Sequence, residues 1–331
     1  MLSTAAKTNA SAAASDSRAA ASPLRGEQVV GRLAPSPSAR MHAGNIFCSL
    51  VAWLCAKRAG GRIVLRIEDL DRQRCKREYS EAIMRDFERL GLLWDNEDVI
   101  WQGDRMEAYE AAFDRLKKAD LLYPCFCSRA DLHAASAPHR GEKFIYAGTC
   151  RNLTRSEREE LAERRHPAWR IKVDGGPVIS FVDRFQGPVT QELSRDCGDY
   201  IIRRSDGVFA YQLAVVVDDL AQGVTQIIRG ADLLDSTPQQ LWLRGLLDSH
   251  APACEFGHVP LFVDDQGRRL SKRDADANLD GLLVRFGSVE ALYGAIAGAT
   301  GLRANTKPVT LEELLETADL HALEGKTRIV W

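Results

Sequence analysis

Two loops in this 331-residue chain carry side chains suited to holding phosphate. The first, Gly31-Arg32-Leu33-Ala34-Pro35-Ser36-Pro37-Ser38-Ala39-Arg40-Met41-His42-Ala43-Gly44-Asn45, runs from a strand end through a proline-stiffened turn into a helix start. A helix N-terminus offers unpaired N–H groups and the positive end of the peptide dipoles, and a residue as small as Gly44 lets phosphates come close. The second loop, Arg268-Arg269-Leu270-Ser271-Lys272-Arg273-Asp274, sets five phosphate donors within six residues, which suits a mobile clamp on a triphosphate. Alone, the first reads better as a turn with a surface histidine and the second as a solvated basic turn. The pair is far more specific than either part.

A third group is Cys125-x-Cys127 with Cys150 further on. Thiolates so spaced can hold Zn²⁺ tetrahedrally at about 2.3 Å, and a closed structural site needs a fourth ligand. Chemistry leaves His133, His139 and Tyr146 open, with histidine the usual choice. The other cysteines (Cys48, Cys55, Cys75, Cys197, Cys254) read as packing residues. Eight cysteines scattered in this way fit a reducing, cytoplasmic compartment better than a disulfide framework.

The elements that must position these residues follow from apolar pattern. Gln28 to Leu33 is a short buried strand closed by Pro35 and Pro37. Ile46, Leu50, Val51, Leu54 and Cys55 fall on one helical face, with Asn45 near the start and Gly60-Gly61 at the end. Arg62 to Ile67 is the next strand, giving a βαβ unit and hence a parallel sheet. Helices are expected over 78–92 and 105–119. Trp169 to Val173 and Val178 to Val182 read as an antiparallel hairpin about Asp174-Gly175-Gly176. Tyr200 to Ile202, Ala214 to Val217 and Thr225 to Arg229 are buried strand or helix-core patterns, and from Leu279 onward the pattern is helical.

Lys plus Arg (44) nearly balances Asp plus Glu (46), and 45% hydrophobic with 27% charged residues is an ordinary globular composition. A wholly basic nucleic-acid coat is excluded, a local basic groove is not, and no apolar run is long enough for a membrane span. The expected division is a disordered Ala/Ser-rich tail (1–25), a catalytic first half (26–120), an insertion carrying the cysteines (121–199), a catalytic second half (200–275) and a small helical C-terminal domain (276–331).

The Ala-Pro-Ser-Pro segment with His42-x-Gly44-Asn45 resembles the HIGH signature of class I aminoacyl-tRNA synthetases, and Arg269-Leu270-Ser271-Lys272-Arg273 resembles their KMSKS loop. Leu65-Arg66-Ile67-Glu68-Asp69, Tyr211 to Asp219 and Ile228 to Leu234 followed by Ser236-Thr237-Pro238-Gln239 are similar to the glutamyl branch, so the likeness covers residues 28 to 275. Ala39 stands where glycine is usual, Asn45 takes the last HIGH position, and Arg269 and Arg273 replace the first Lys and last Ser of KMSKS.

The resemblance implies an α/β fold with a Rossmann-like parallel sheet, a zinc-containing insertion and a small helical C-terminal domain. It implies Arg32, Ala34, Ser36, Glu68, Tyr211 and Arg229 for L-glutamate, and His42, Gly44 and Asn45 with Arg269, Leu270, Ser271, Lys272 and Arg273 for ATP. Within that set it implies His42, Asn45 and Lys272 as the catalytic groups, Mg²⁺ arriving with ATP, and one structural Zn²⁺ held by Cys125, Cys127, Tyr146 and Cys150. Only residues 274 to 331 follow the second loop, too few for the large anticodon-reading domain of a glutamyl-tRNA synthetase. The expectation is therefore a short member of the branch, a monomer that attaches glutamate to queuosine in the anticodon arm of tRNA-Asp. A shortened enzyme charging the tRNA 3′ end, and a non-catalytic binding protein, are the alternatives. The Arg-rich stretch Arg151 to Arg165 is a weak candidate for RNA contact.

Overall fold

The computed structural model describes residues 28–128, 145–268 and 278–331. The tail at 1–25, His133, His139 and the loop from Arg269 to Arg273 lie outside the described residues.

Strand β1 (Val30–Leu33), helix α1 (Ala43–Arg58) and strand β2 (Arg62–Ile67) form the expected βαβ unit. β1 and β2 are parallel from Val30↔Arg62 to Leu33↔Leu65, and β2 continues parallel to the short β3 (Ile100–Trp101). Both are near-continuous apolar runs, as strands covered on two faces must be. Ile46, Phe47, Leu50, Val51 and Leu54 of α1 are all buried, and each such side chain contributes about 1.5–3 kcal/mol on leaving water. Helices α2 (Arg77–Arg89) and α3 (Met106–Lys118) follow.

The second half of the sheet comes from distant sequence. β9 (Gln226–Gly230) and β10 (Glu255–Val259) are parallel from Gln226↔Glu255 to Gly230↔Val259. β1 and β9 lie side by side: Thr225 N donates to Val30 O at 3.0 Å and Arg32 Nη1 to Ile228 O at 3.1 Å. From this seam the chain goes from β1 to β2 on one side and from β9 to β10 on the other. Such a switch point leaves a crevice at the carboxyl ends of the strands. Helix α5 (Tyr211–Ala221) leads into β9, resolving the Ala214–Val217 pattern as helix, and α6 (Thr237–Leu247) links β9 to β10.

The expected hairpin is not formed. A turn exists, with Gly175 and Gly176 in the left-handed region at φ of 72° and 57°, but its two strands enter different sheets. β5 (Ala168–Ile171) sits between β4 (Leu122–Cys125) and β8 (Tyr200–Arg203), antiparallel to both, so neither of its edges is open to β6 (Val178–Asp183). β6 instead pairs antiparallel with β7 (Gly187–Glu192), a strand the pattern did not reveal, and touches β10 in parallel at Asp183↔Phe256. The boundary expected at 199 therefore does not separate the sheets: β8 lies beyond it, and β6 within it joins the β9–β10 side. Helix α4 (Arg155–Arg164) begins in a capping box made by Thr154 and Glu157.

Toward the C-terminus, α7 (Leu279–Phe286), α8 (Val289–Thr300) and α9 (Leu311–Thr317) bury Leu282, Leu292, Tyr293, Ile296 and Leu314 in the same core as Phe47, Leu50 and Leu54 of α1. They cover α1 and share its core, where a separate small domain would have one of its own. β11 (Leu261–Val263) pairs with β12 (Arg328–Val330), and Phe262 is stacked between Phe47 and Trp331 at ring separations of 4.9 and 4.8 Å. Among the described residues no single helix is long and apolar enough to cross a membrane.

Candidate active site

At the seam between the two half-sheets lies a cleft of about 400 Å³, and the strand ends define its wall. Arg32 from β1, Glu68 just past β2, Tyr211 at the start of α5 and Arg229 from β9 all line it, with Ala34, Ser36, His42, Gly44 and Asn45 from the first loop. Every residue expected to bind glutamate or ATP within the described part of the chain is thus gathered in one place.

The floor is a network of buried charge. Arg66, fully enclosed, donates to Asp219 Oδ1 at 2.8 Å, Gln222 Oε1 at 2.8 Å and Glu68 Oε1 at 3.1 Å. Burial alone would weaken its charge, but Asp219, Glu68 and Asp218 more than compensate and hold its pKa above the ordinary value. Asp218 in turn accepts from Gln102 (2.8 Å), Arg105 (2.5 Å) and Tyr109 (2.8 Å). Burial pushes the Glu68 carboxyl up, against the pull of Arg66 and Arg32, and Glu68 N donates to Pro35 O at 3.0 Å, fastening the loop to the strand.

Among the described residues, Arg32 and Arg229 are the buried arginines that line the cleft with donors to spare. Arg32 has its Nε 3.6 Å from Asp219, too far for a hydrogen bond, and that buried donor has no acceptor. Arg229, 4% exposed, donates to His258 Nε2 (3.0 Å), Gln240 Oε1 (2.7 Å), Thr237 Oγ1 (2.7 Å) and, at 3.4 Å, Leu233 O. All four acceptors are neutral, so the guanidinium is oriented without being neutralised. A ligand carboxylate fits such a site.

On the other side, His42 is the N-cap of α1. Its Nδ1 accepts from Gly44 N at 3.1 Å, while Asn45 Oδ1 accepts from His42 N at 3.2 Å. An accepting Nδ1 leaves the proton of the neutral ring on Nε2, a donor for phosphate. Gly44 matters here in a way the sequence did not suggest. A Cβ at that position would stand 3.1 Å from His42 Cε1 and 3.2 Å from Nδ1, so the glycine makes room for the capping ring.

Away from the cleft, Cys125, Cys127 and Cys150 bring their sulfurs within 4.8 Å of one another. Tyr146 Oη lies 3.4 Å from Cys125 Sγ and 3.6 Å from Cys127 Sγ, and Cys127 and Cys150 sulfurs are 3.5 Å apart. A tetrahedron with metal–ligand bonds of about 2.3 Å has edges of roughly 3.8 Å, so three thiols and one phenol fit the corners of a small-cation site. Arg170 lies over the Tyr146 ring at 3.8 Å and donates to Cys125 Sγ at 3.3 Å, which favours a thiolate there.

Residues 28–288 match the family model for the catalytic domain of class I tRNA synthetases (E and Q). The chain is 44% identical over 302 residues to the glutamyl-Q tRNA(Asp) synthetase of Symbiobacterium thermophilum, spanning 88% of this chain and 92% of that protein. It belongs to the glutamyl-Q tRNA(Asp) synthetase family. The same name and identity hold for a relative from Nitratidesulfovibrio vulgaris, matched over 88% of this chain and 93% of its own. Glutamate-tRNA synthetase from Elizabethkingia anophelis superposes with a TM-score of 0.76 at 26% identity, covering 91% of this chain and 68% of that one. A glutamate tRNA ligase from Elizabethkingia meningosepticum, solved with its amino acid, gives the same score.

Within this glutamyl-Q tRNA(Asp) synthetase fold, several residues escaped sequence reasoning. Asp218 and Asp219 carried a usable signal, since two adjacent acids in an otherwise apolar helix must be buried with cations. Asp183 and His258 carried none, being 75 residues apart. Cys48, assigned to packing, lines the cleft, whereas Cys55 and Cys254 are buried as expected. In the Arg151–Arg165 stretch, Arg155 pairs with Glu159 and Arg164 with Glu160, so α4 neutralises much of its own charge.

Proposed function

We propose that this chain activates L-glutamate with ATP and passes it to the queuosine base in the anticodon arm of tRNA-Asp. The observation that carries the reading is the pairing, in one cleft, of a buried carboxylate (Glu68) with two buried arginines (Arg32, Arg229), beside a capped helix N-terminus. Glutamate has one ammonium and two carboxylates. Glu68 takes the ammonium, Arg229 with the Tyr211 hydroxyl and Arg32 take the carboxylates, and Ala34 and Ser36 complete the wall. Burial beside Glu68 keeps the Tyr211 phenol protonated and able to donate.

No protein nucleophile is needed. An α-carboxylate oxygen of glutamate attacks the α-phosphorus of ATP as the bond to the β-phosphate oxygen breaks, giving glutamyl-adenylate and pyrophosphate. His42, Gly44 and Asn45 hold the phosphates at the start of α1. Lys272, with Arg269, Leu270, Ser271 and Arg273, is read as the clamp on the leaving pyrophosphate, and Mg²⁺ enters with ATP. A queuosine hydroxyl then attacks the mixed anhydride and releases AMP.

Cys125, Cys127, Tyr146 and Cys150 are read as the ligands of one structural zinc that braces the β4 region, and the C-terminal helices as the support of α1. Eight free thiols accord with a protein of the cytoplasm, where we place it as a monomer. The test is glutamate-dependent exchange of labelled pyrophosphate into ATP by the pure protein without tRNA. Exchange is expected, and its absence from folded, ATP-binding protein would falsify the catalytic reading.

A further inference from the structure

Beneath Arg229 a second layer of side chains runs to the β6–β7 turn, outside the cleft itself. Arg229 Nε donates to His258 Nε2 at 3.0 Å. A nitrogen that accepts this bond carries no proton, so the imidazole proton sits on Nδ1, which meets Asp183 Oδ2 at 2.5 Å. The other Asp183 oxygen accepts the backbone N–H groups of Phe185, Gln186 and His258, each at 3.0 Å. Asp183 and His258 are 1% and 0% exposed, so solvent does not supply alternative partners.

The ionisation states agree with this geometry. Burial holds His258 below its ordinary value despite Asp183 beside it, leaving the ring neutral. Burial would raise Asp183, but the bonds from His258 and the backbone outweigh it and keep the carboxylate charged. A carboxylate placed directly on Arg229 would orient it equally well, yet would cancel the charge that recruits an anionic substrate. An imidazole between the two separates orientation from neutralisation.

We propose that Asp183 and His258 are positioning residues for glutamate recognition: Asp183 fixes the His258 tautomer that accepts from Arg229 Nε, and so aims an unneutralised guanidinium at the substrate's carboxylate. The inference rests on the glutamate-activating reading above and assigns a task to the β6–β7 hairpin, whose partners were not evident in sequence. Nε2 also lies 3.2 Å from Thr237 Oγ1; were it protonated, its N–H would turn to that hydroxyl and face the Arg229 Nε donor, and the guanidinium would lose the acceptor that aims it.

Asp183→Asn tests it with little change of shape. Its amide can donate to Nδ1, moving the ring proton to Nε2 opposite Arg229. The measurements are KM for glutamate and for ATP in pyrophosphate exchange, glutamate binding by calorimetry, and the melting temperature. Asp183→Asn and His258→Leu should each raise glutamate KM and Kd about tenfold or more while KM for ATP stays within about twofold. His258→Gln keeps an acceptor near the Nε2 position and should recover most of the affinity, and in that background Asp183→Asn should cost little further. Glutamate affinity unchanged in Asp183→Asn, or glutamate and ATP constants rising together in both Asp183→Asn and His258→Gln, would overturn the positioning role. Wild-type protein that neither binds nor exchanges glutamate would instead overturn the functional reading and, with it, the ligand assigned to Arg229.

Discussion

The cleft between the half-sheets and the cysteine cluster are built on opposite plans. In the cleft, contacts join distant parts of the chain: Arg66 and Asp219 are 153 residues apart, and Arg32 and Ile228 are 196 apart. The cluster is local, with Phe126 N bonded to Cys150 Sγ only 24 residues on and the Tyr146 hydroxyl accepting from Cys150 N four residues away. A non-local site exists only when the whole sheet is assembled, so its buried charges help hold the two half-sheets together. A local site can be lost with little effect elsewhere. The contrast teaches where ligand binding is coupled to global stability and where it is not.

Arg66→Met should produce the largest effect on the cleft side. It leaves Asp219 and Glu68 without their fully enclosed partner, and breaking a buried pair costs about 3–5 kcal/mol. Denaturant unfolding should register that loss, while metal content per folded chain stays unchanged. A stability within about 1 kcal/mol of wild type would mean that the network does not join the halves.

Lys272→Ala is next, and should act on chemistry without acting on the fold. Adenylate formation should slow by about 100-fold or more, since a lost charge contact to the transition state costs on the order of 3 kcal/mol. Unchanged single-turnover rates would shift the clamp to Arg269 or Arg273.

Cys127→Ser addresses the cluster. Metal analysis should find about one zinc per wild-type chain and none in the mutant, with glutamate-dependent exchange within about twofold of wild type. A collapse of exchange would show that the two regions are coupled after all. Tyr146→Phe should weaken zinc binding while His133→Ala and His139→Ala leave it intact; the reverse pattern would identify a histidine as the fourth ligand.

The smallest effect is expected for Gly44→Ala, whose methyl group would press on the His42 ring and weaken the α1 cap by about 1 kcal/mol. A rise in KM for ATP with stable folding is the expected outcome. If ATP affinity does not move, the ring and the helix cap are not linked to phosphate.

The same contrast explains what could be read from the residues alone. Strand β2 is Arg62–Ile67 in both pattern and structure, because a strand buried on two faces is a near-continuous apolar run, broken here within the strand only by the enclosed Arg66. That Arg32, Glu68, Tyr211 and Arg229 come together was legible through motifs at strand ends and a helix start. The cysteine cluster was legible because its parts are close in sequence. The β5–β6 hairpin was misread, since local turn chemistry does not reveal that both edges of β5 are already filled. Asp183 and His258 were invisible for a related reason: only the pairing of β6 with β10 brings them together.

The central claim, transfer of glutamate to an anticodon base, is tested most directly with an isolated anticodon stem-loop of tRNA-Asp, prepared with and without queuosine. Labelled glutamate should attach to the queuosine-bearing stem-loop and not to its unmodified twin. Charging confined to full-length tRNA-Glu with an intact 3′ end would contradict that claim and assign the cleft to ordinary acceptor-end aminoacylation.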